Sequence, residues 1–142
     1  SYQMTALEEM LRGVSVAQIM REDVVSVPED LPLDRLVEDF FYRYRFASFP
    51  VERDAQLTGL VHINQLKDIP RAQWTQKHVM DVMSKRAAIL VVAPEDLAVE
   101  AFRQMTQAGA HKVLVLDDNR LVGVVTARDI LQLFRIRRDL PD

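Results

Sequence analysis

Gly123-Val124-Val125-Thr126-Ala127-Arg128-Asp129 is the stretch on which the fold turns. A small residue opens it, an apolar strand end follows, and a hydroxyl and a carboxylate stand three residues apart. That spacing predicts a helix start immediately after a strand. A weaker copy lies 64 positions earlier, at Gly59-Leu60-Val61-His62-Ile63-Asn64-Gln65. There His62 replaces the hydroxyl and Gln65 replaces the carboxylate.

Working outward, the same offset relates the residues before each copy. Val51, Asp54, Leu57, Gly59 and Val61 recur as Val115, Asp118, Leu121, Gly123 and Val125. Pro28-Glu29-Asp30-Leu31 returns as Pro94-Glu95-Asp96-Leu97, and Val16–Met20 is echoed by Val79–Met83. These matches are an internal duplication, and with only two copies it is a pseudo-symmetric pair, not a solenoid.

Each copy reads β-α-β-β-α. The β-prone Val24–Val27 precedes a helix with apolar residues at Leu33, Leu36, Val37, Phe40, Phe41 and Tyr44, for which Asp30 is the expected cap. Strands near Ser48–Val51 and Leu57–Val61 follow, and a short helix containing Ile63, Leu66 and Ile69 closes the copy at Pro70. In the second copy Leu97, Ala101, Phe102, Met105 and Ala108 are expected inward on a helix stopped near Gly109. Strands Lys112–Leu116 and Leu121–Val125 come next, then a helix with Ala127, Ile130, Leu131 and Phe134 on one face. The expected organisation is an N-terminal helix over 1–15, a first domain over 16–70, a linker over 71–77 and a second domain over 78–138. In the leading helix Thr5 and Glu8 have capping-box spacing, Met4, Leu7 and Leu11 share a face, and Gly13 is the stop.

About sixty residues with three short strands cannot bury both sheet faces alone. The fold class is therefore α+β, with the two repeats expected to pack sheet to sheet about a pseudo-twofold axis. Surplus apolar surface on the helices favours a homodimer.

The composition is that of an ordinary soluble domain: 142 residues, 49% apolar and 27% charged. A net charge of -3 gives no general attraction to nucleic acid or anionic lipid. With no cysteine there are no disulfides or thiolate metal sites, which fits a reducing, cytoplasmic setting. The longest apolar run, Ala87–Ala93, has strand length and is too short to span a bilayer. A chain that begins with Ser1 is expected to belong to a longer protein.

On these residues the chain resembles the tandem CBS domain pair, or Bateman module, over residues 16 to about 136. The motifs are the duplicated β-α-β-β-α order, the Met-ending segment before each copy, the entry at Val27-Pro28 and the signature Gly123–Asp129. The resemblance implies a non-catalytic regulatory module that binds adenine nucleotides or related ligands in the cleft between copies and controls an attached domain. Leu11–Val16 and Ile69–Trp74 look more narrowly like the CBS region of site-2-protease-like membrane metallopeptidases. No His-Glu-x-x-His occurs, so a zinc-peptidase domain would lie outside this chain, which would then be the soluble part of an integral membrane protein.

The candidate site follows from the second copy. Counting back from Asp117-Asp118-Asn119-Arg120 pairs Leu116 with Leu121 and Lys112 with Val125, and sets His111 beside Thr126. A hydroxyl, an imidazole and an ammonium would then meet at the free N–H groups of a helix start, chemistry suited to a phosphate. Asp129, one turn in, would accept hydrogen bonds from both hydroxyls of a ribose. The resemblance assigns the sugar-phosphate to Thr126 and Asp129, and the phosphates to the basic pair His111-Lys112. Gly123 completes the motif, with Ile89, Leu90 and Val91 as candidates to flank the base. AMP, ADP, ATP and S-adenosylmethionine are the candidate ligands, and no cofactor is required. Thr126-x-x-Asp129 also has capping-box spacing, which alone would stabilise the helix by roughly 1 kcal/mol and do nothing more. The first copy has lost the hydroxyl, the carboxylate and the basic pair, where Ala47-Ser48 stands, and is not expected to hold a standard nucleotide.

Other chemistries find no support. His62, His78 and His111 are dispersed, so zinc is not expected, and no G-x-S-x-G or equivalent is present. Arg135, Arg137 and Arg138 form a basic tail on the last helix, solvated or pairing with Asp139. The aromatic set from Phe40 to Phe49 is read as core, as interface between copies, or as a dimer surface, and Trp74 is expected across the junction. The alternative function is a ligand-free dimerisation or interaction module of a larger membrane metallopeptidase.

Overall fold

Two tight hairpins carry the architecture, and each closes through two successive left-handed residues. Asp54 and Ala55 have φ of 51° and 64°, and Asp118 and Asn119 have 51° and 64°. Two positive φ values at the turn centre define the type I′ hairpin, whose twist matches that of the strands it joins. The structure, a computed structural model, describes residues 2–141, with side chains from Met4 to Pro141. Ser1, the first residue of the expected N-terminal helix, lies outside the described residues.

The chain divides into two compact units, one over residues 25–89 and one joining residues up to 24 to those from 90 onward. In the 25–89 unit the sheet order is β1-β2-β3-β4, with β1 Val27–Pro28, β2 Ser48–Arg53, β3 Gln56–His62 and β4 Ser84–Lys85. Strand β1 runs parallel to β2, and the other pairs are antiparallel. Its core gathers Val27, Leu33, Leu36, Phe41, Phe49, Val51, Val61, Leu66 and Val79.

The helical stretch of this unit is α3 Leu33–Leu36, a π turn Val37–Phe41 and α4 Tyr42–Tyr44. A regular α-helix was the expectation from the periodicity, and the π turn departs from it. The widened turn lets the adjacent Phe40 and Phe41 both reach Phe49, each with a ring separation of 5.6 Å. Pro32, not Asp30, is the N-cap, and Arg45 ends the stretch at φ 59°.

The other unit contains α1 Tyr2–Met10, α2 Val16–Ile19, β5 Val91–Val92, α6 Ala98–Ala108, β6 Lys112–Asp117, β7 Arg120–Thr126 and α7 Ala127–Asp139. Its sheet order is β5-β6-β7. Leu7, Leu11, Val16, Ala101, Met105, Val113, Val115, Val125 and Ile130 are among its buried residues. Gly109, at φ 64°, stops α6 at the position that Arg45 occupies in the first copy.

The units interleave the sequence repeats. The N–H groups of Val16 and Ala17 donate to the carbonyls of Asp96 and Pro94, at 2.8 and 2.9 Å. Sixty-odd residues on, those of Val79 and Met80 in α5 Val79–Val82 donate to Leu31 and Glu29, both at 2.9 Å. Each Met-ending turn thus seats on the Pro-Glu-Asp-Leu turn of the other copy's sequence.

Several local expectations are corrected. Thr5 lies inside α1 and does not cap it. Leu97 caps α6 and is exposed, as is Ala108, while Ala98 is buried in their place. Leu131 is also exposed. The helix expected from Ile63 to Ile69 is a 3-10 turn over Ile63–Gln65. The run Ala87–Ala93 splits into a 3-10 turn, Arg86–Ala88, and the two-residue β5, and the strand expected over Val24–Val27 is the short β1. Trp74 packs on the core of its own unit, donates to the carbonyl of Ile69 at 3.0 Å and lies under the Arg71 guanidinium.

Candidate functional site

A β-bulge between Val115 and Leu116 sets the geometry of the second copy. Counting from the turn without it pairs Lys112 with Val125. The extra residue slips the register, so that Lys112 faces Thr126 and Val113 faces Val125. His111 falls one step outside the ladder, exposed, and its carbonyl accepts from the Ala127 N–H at 2.9 Å. The cross-strand partner of the hydroxyl is therefore the ammonium, not the imidazole. Partial burial pushes the Lys112 ammonium below the usual lysine range. A nearby anion would relieve that cost.

Thr126 is the N-cap of α7, and its hydroxyl accepts from the Asp129 N–H at 3.0 Å. That is half of the capping box anticipated from the spacing. Asp129 does not complete it. Both of its carboxylate oxygens are taken by Arg21, with Nε to Oδ2 at 2.7 Å and Nη2 to Oδ1 at 2.9 Å. This fork-to-carboxylate pair holds the Asp129 carboxyl below the usual carboxylate range. Sequence reasoning missed Arg21 because it lies 108 residues away.

Backbone pairing brings Arg21 there. Arg21 and Val124 exchange hydrogen bonds of 2.9 Å in each direction, so the segment after Met20 lies along β7. Gly123 makes that approach possible. A Cβ on it would lie 2.6 Å from the Met20 sulfur and 3.0 Å from the Arg21 carbonyl oxygen. In the first copy a Cβ on Gly59 would meet the Met83 sulfur at 2.5 Å and the Ser84 carbonyl at 2.6 Å. Both glycines serve close backbone packing, and neither has the positive φ of a turn glycine.

The structure brings Lys112, Thr126, Gly123 and Asp129 together on one hairpin and helix start, with His111 at its edge. Leu90 and Val91 belong to the same unit: the Leu90 carbonyl accepts from Leu114, and Val91 pairs with Leu114 in β5 and β6. Ile89 closes a 3-10 turn in the 25–89 unit. An open groove of about 400 Å³ lies along α1, α6 and the far half of α7, lined by Met4, Leu7, Phe102, Leu131, Phe134, Arg135 and Arg138. None of the expected ligand residues lines it.

The model of the CBS domain matches residues 16–70 and 79–136. The chain belongs to the CBS domain family. CBS pairs are regulatory, non-catalytic modules, and the two α+β units are those of such a pair. The chain is 28% identical over 137 residues to a protein of Mycobacterium tuberculosis provisionally named zinc metalloprotease Rip3. That match covers 92% of this chain and 34% of the relative, so the chain spans about a third of its length. A CBS domain of a bacterial CNNM/CorC family Mg2+ transporter, solved in complex with ATP, superposes with a TM-score of 0.81 at 18% identity. The overlap covers 94% of this chain and 96% of that one, and is a likeness of fold. The CBS domain of a membrane protein from Sphaerobacter thermophilus aligns at 25% identity with a TM-score of 0.69, covering 93% and 94% of the two chains. Among the described residues, no helix is long and apolar enough to cross a membrane.

Proposed function

We propose that this CBS pair senses an adenosine-containing nucleotide, at the junction of β7 and α7, and regulates a catalytic domain attached to it or bound by it. The observation that carries the reading is the Lys112–Thr126 cross-strand pair at the start of the 13-residue α7. Directly opposed residues of an antiparallel pair project to the same face. A partly desolvated ammonium and a hydroxyl therefore stand together at the positive end of a helix dipole, where the Ala127 and Asp129 N–H groups are already paired. Phosphate oxygens suit the ammonium, the hydroxyl and the dipole. Asp129 would take the ribose hydroxyls, with His111 adding a further donor at the edge, Gly123 admitting the backbone and Ile89, Leu90 and Val91 offered to the base. The whole protein would be a membrane metallopeptidase with this module on its cytoplasmic side, working as a homodimer.

Titration calorimetry with AMP, ADP, ATP and S-adenosylmethionine tests the reading. Binding of at least one is expected, with Asp129→Ala weakening it more than tenfold and Gln65→Ala leaving it within about twofold. No heat from any of the four at millimolar concentration would remove the nucleotide. One observation favours a second reading: Asp129 already has an internal partner in Arg21. In that reading the module binds no ligand and serves only to join subunits or domains. Sedimentation of the chain alone as a concentration-dependent dimer, together with silence in every titration, is the outcome it requires.

A further inference from the structure

Arg21 occupies both oxygens of the carboxylate that a ribose would need. The contacts are short, bidentate and charge-assisted, and the guanidinium approaches from a segment fixed by two backbone hydrogen bonds to Val124. Arg21 is 63% exposed and Asp129 27% exposed, so the pair sits at an open surface where a solute can reach it. The equivalent contact in the first copy is uncharged: Gln65 Nε2 donates to the Ser84 hydroxyl at 3.0 Å. Both copies thus tie the third residue of the strand-to-helix junction to the residue after the Met-ending turn. Only the second does so with an ion pair.

We infer that Arg21 is the residue that makes this site select phosphorylated nucleotides over neutral nucleosides. The inference rests on the nucleotide reading above. A ribose diol that hydrogen-bonds Asp129 must displace the guanidinium and leave it without its carboxylate. A neutral nucleoside offers the released cation nothing in exchange. A nucleotide brings a phosphate, the other anion that the planar guanidinium fork matches. Arg21 therefore handicaps any ligand that carries the diol alone and favours one that carries diol and phosphate together.

The test is calorimetry of adenosine, 2′,3′-dideoxyadenosine and AMP on the wild-type chain, Arg21→Gln and Arg21→Lys. Adenosine binding should tighten about twofold to fivefold in Arg21→Gln, the range expected for removing an exposed competing ion pair. AMP should weaken in the same variant, so the preference for the nucleotide narrows. Dideoxyadenosine, lacking the hydroxyls that compete for Asp129, should not gain. Arg21→Lys keeps the charge without the fork and should fall between the other two proteins on adenosine. Because Arg21 is exposed, both variants should fold, and a thermal melt checks each; either one suffices for the comparison. If AMP binds the wild type but adenosine binds Arg21→Gln no better, the role of Arg21 is overturned and the nucleotide reading stands. An equal gain for dideoxyadenosine overturns it as well. If none of the three proteins binds AMP or adenosine, the role of Arg21 is overturned, and the nucleotide reading falls with it only when ADP, ATP and S-adenosylmethionine are silent as well.

Discussion

The two strand-to-helix junctions share a backbone plan and differ in what they do with it. At β3 the His62 Nδ1 accepts from the Asn64 N–H at 3.0 Å, and the Gln65 side chain accepts from the His62 N–H at 2.8 Å. A 3-10 turn of three residues results. At β7 the Thr126 hydroxyl takes the Asp129 N–H, and a helix of 13 residues follows. The first junction has no carboxylate and reaches outward through the Gln65 amide to the Ser84 hydroxyl. The charged one holds a carboxylate and an arginine at an exposed surface, with an ammonium opposite its hydroxyl. Duplication supplies the scaffold twice, and Asp129 and Arg21 in the places of Gln65 and Ser84 turn a hydrogen bond into an ion pair in one of them.

That comparison can be broken most forcefully at the glycines. Gly59→Ala and Gly123→Ala should each destabilise the fold by roughly 1–3 kcal/mol, because a new Cβ meets a methionine sulfur and a carbonyl oxygen. Gly59→Ala should cost more, since its contact with the Ser84 carbonyl is 2.6 Å against 3.0 Å to the Arg21 carbonyl, and backbone yields less than a side chain. Urea unfolding of both variants measures the difference. Equal or negligible losses would mean that the Met-ending segments do not need the missing side chain.

A smaller effect should appear at the left-handed residues. Ala55 and Arg45 adopt φ of 64° and 59°, where the second copy has Asn119 and Gly109. Ala55→Gly should stabilise by about 1 kcal/mol, because the left-handed region costs a residue with a Cβ. Asn119→Gly should give less, since asparagine tolerates that region. A gain of the same size at both hairpins would remove this asymmetry.

The smallest effect is on acid stability. The folded Asp129 carboxyl is held below its ordinary value of 3.8. A depressed carboxyl stabilises the fold above the unfolded value and loses that contribution as pH falls through the folded one. Asp129→Asn should therefore flatten the decline of the urea midpoint below about pH 4. An unchanged acid limb in Asp129→Asn would show that the Arg21 bridge adds nothing to the folded state.

Much of the fold was legible because duplication is a pattern of identities that survives without coordinates. The hairpin turns, the helix stop at Gly109 and the short apolar runs of β6 and β7 are local, and local spacing encodes them. The π turn was not legible, because Phe40 and Phe41 choose it to reach Phe49 across the sheet. The bulge was marked only by Gly59 and Gly123, isolated strand glycines beside each register slip, a signal shared with close backbone approach, and it moved Lys112 opposite Thr126.

By itself, then, the sequence determined the family, the paired β-α-β-β-α order and the position of the one polar junction, all carried by residues close together along the chain. Only tertiary structure decided which partners those residues meet. It seated each Met-ending turn on the other copy's Pro-Glu-Asp-Leu turn, gave both glycines a packing role and closed the Asp129 carboxylate with Arg21. A contact across 108 residues leaves no periodicity to read. It exists because β7 pairs with the backbone at Arg21, and that pairing is a property of the folded chain.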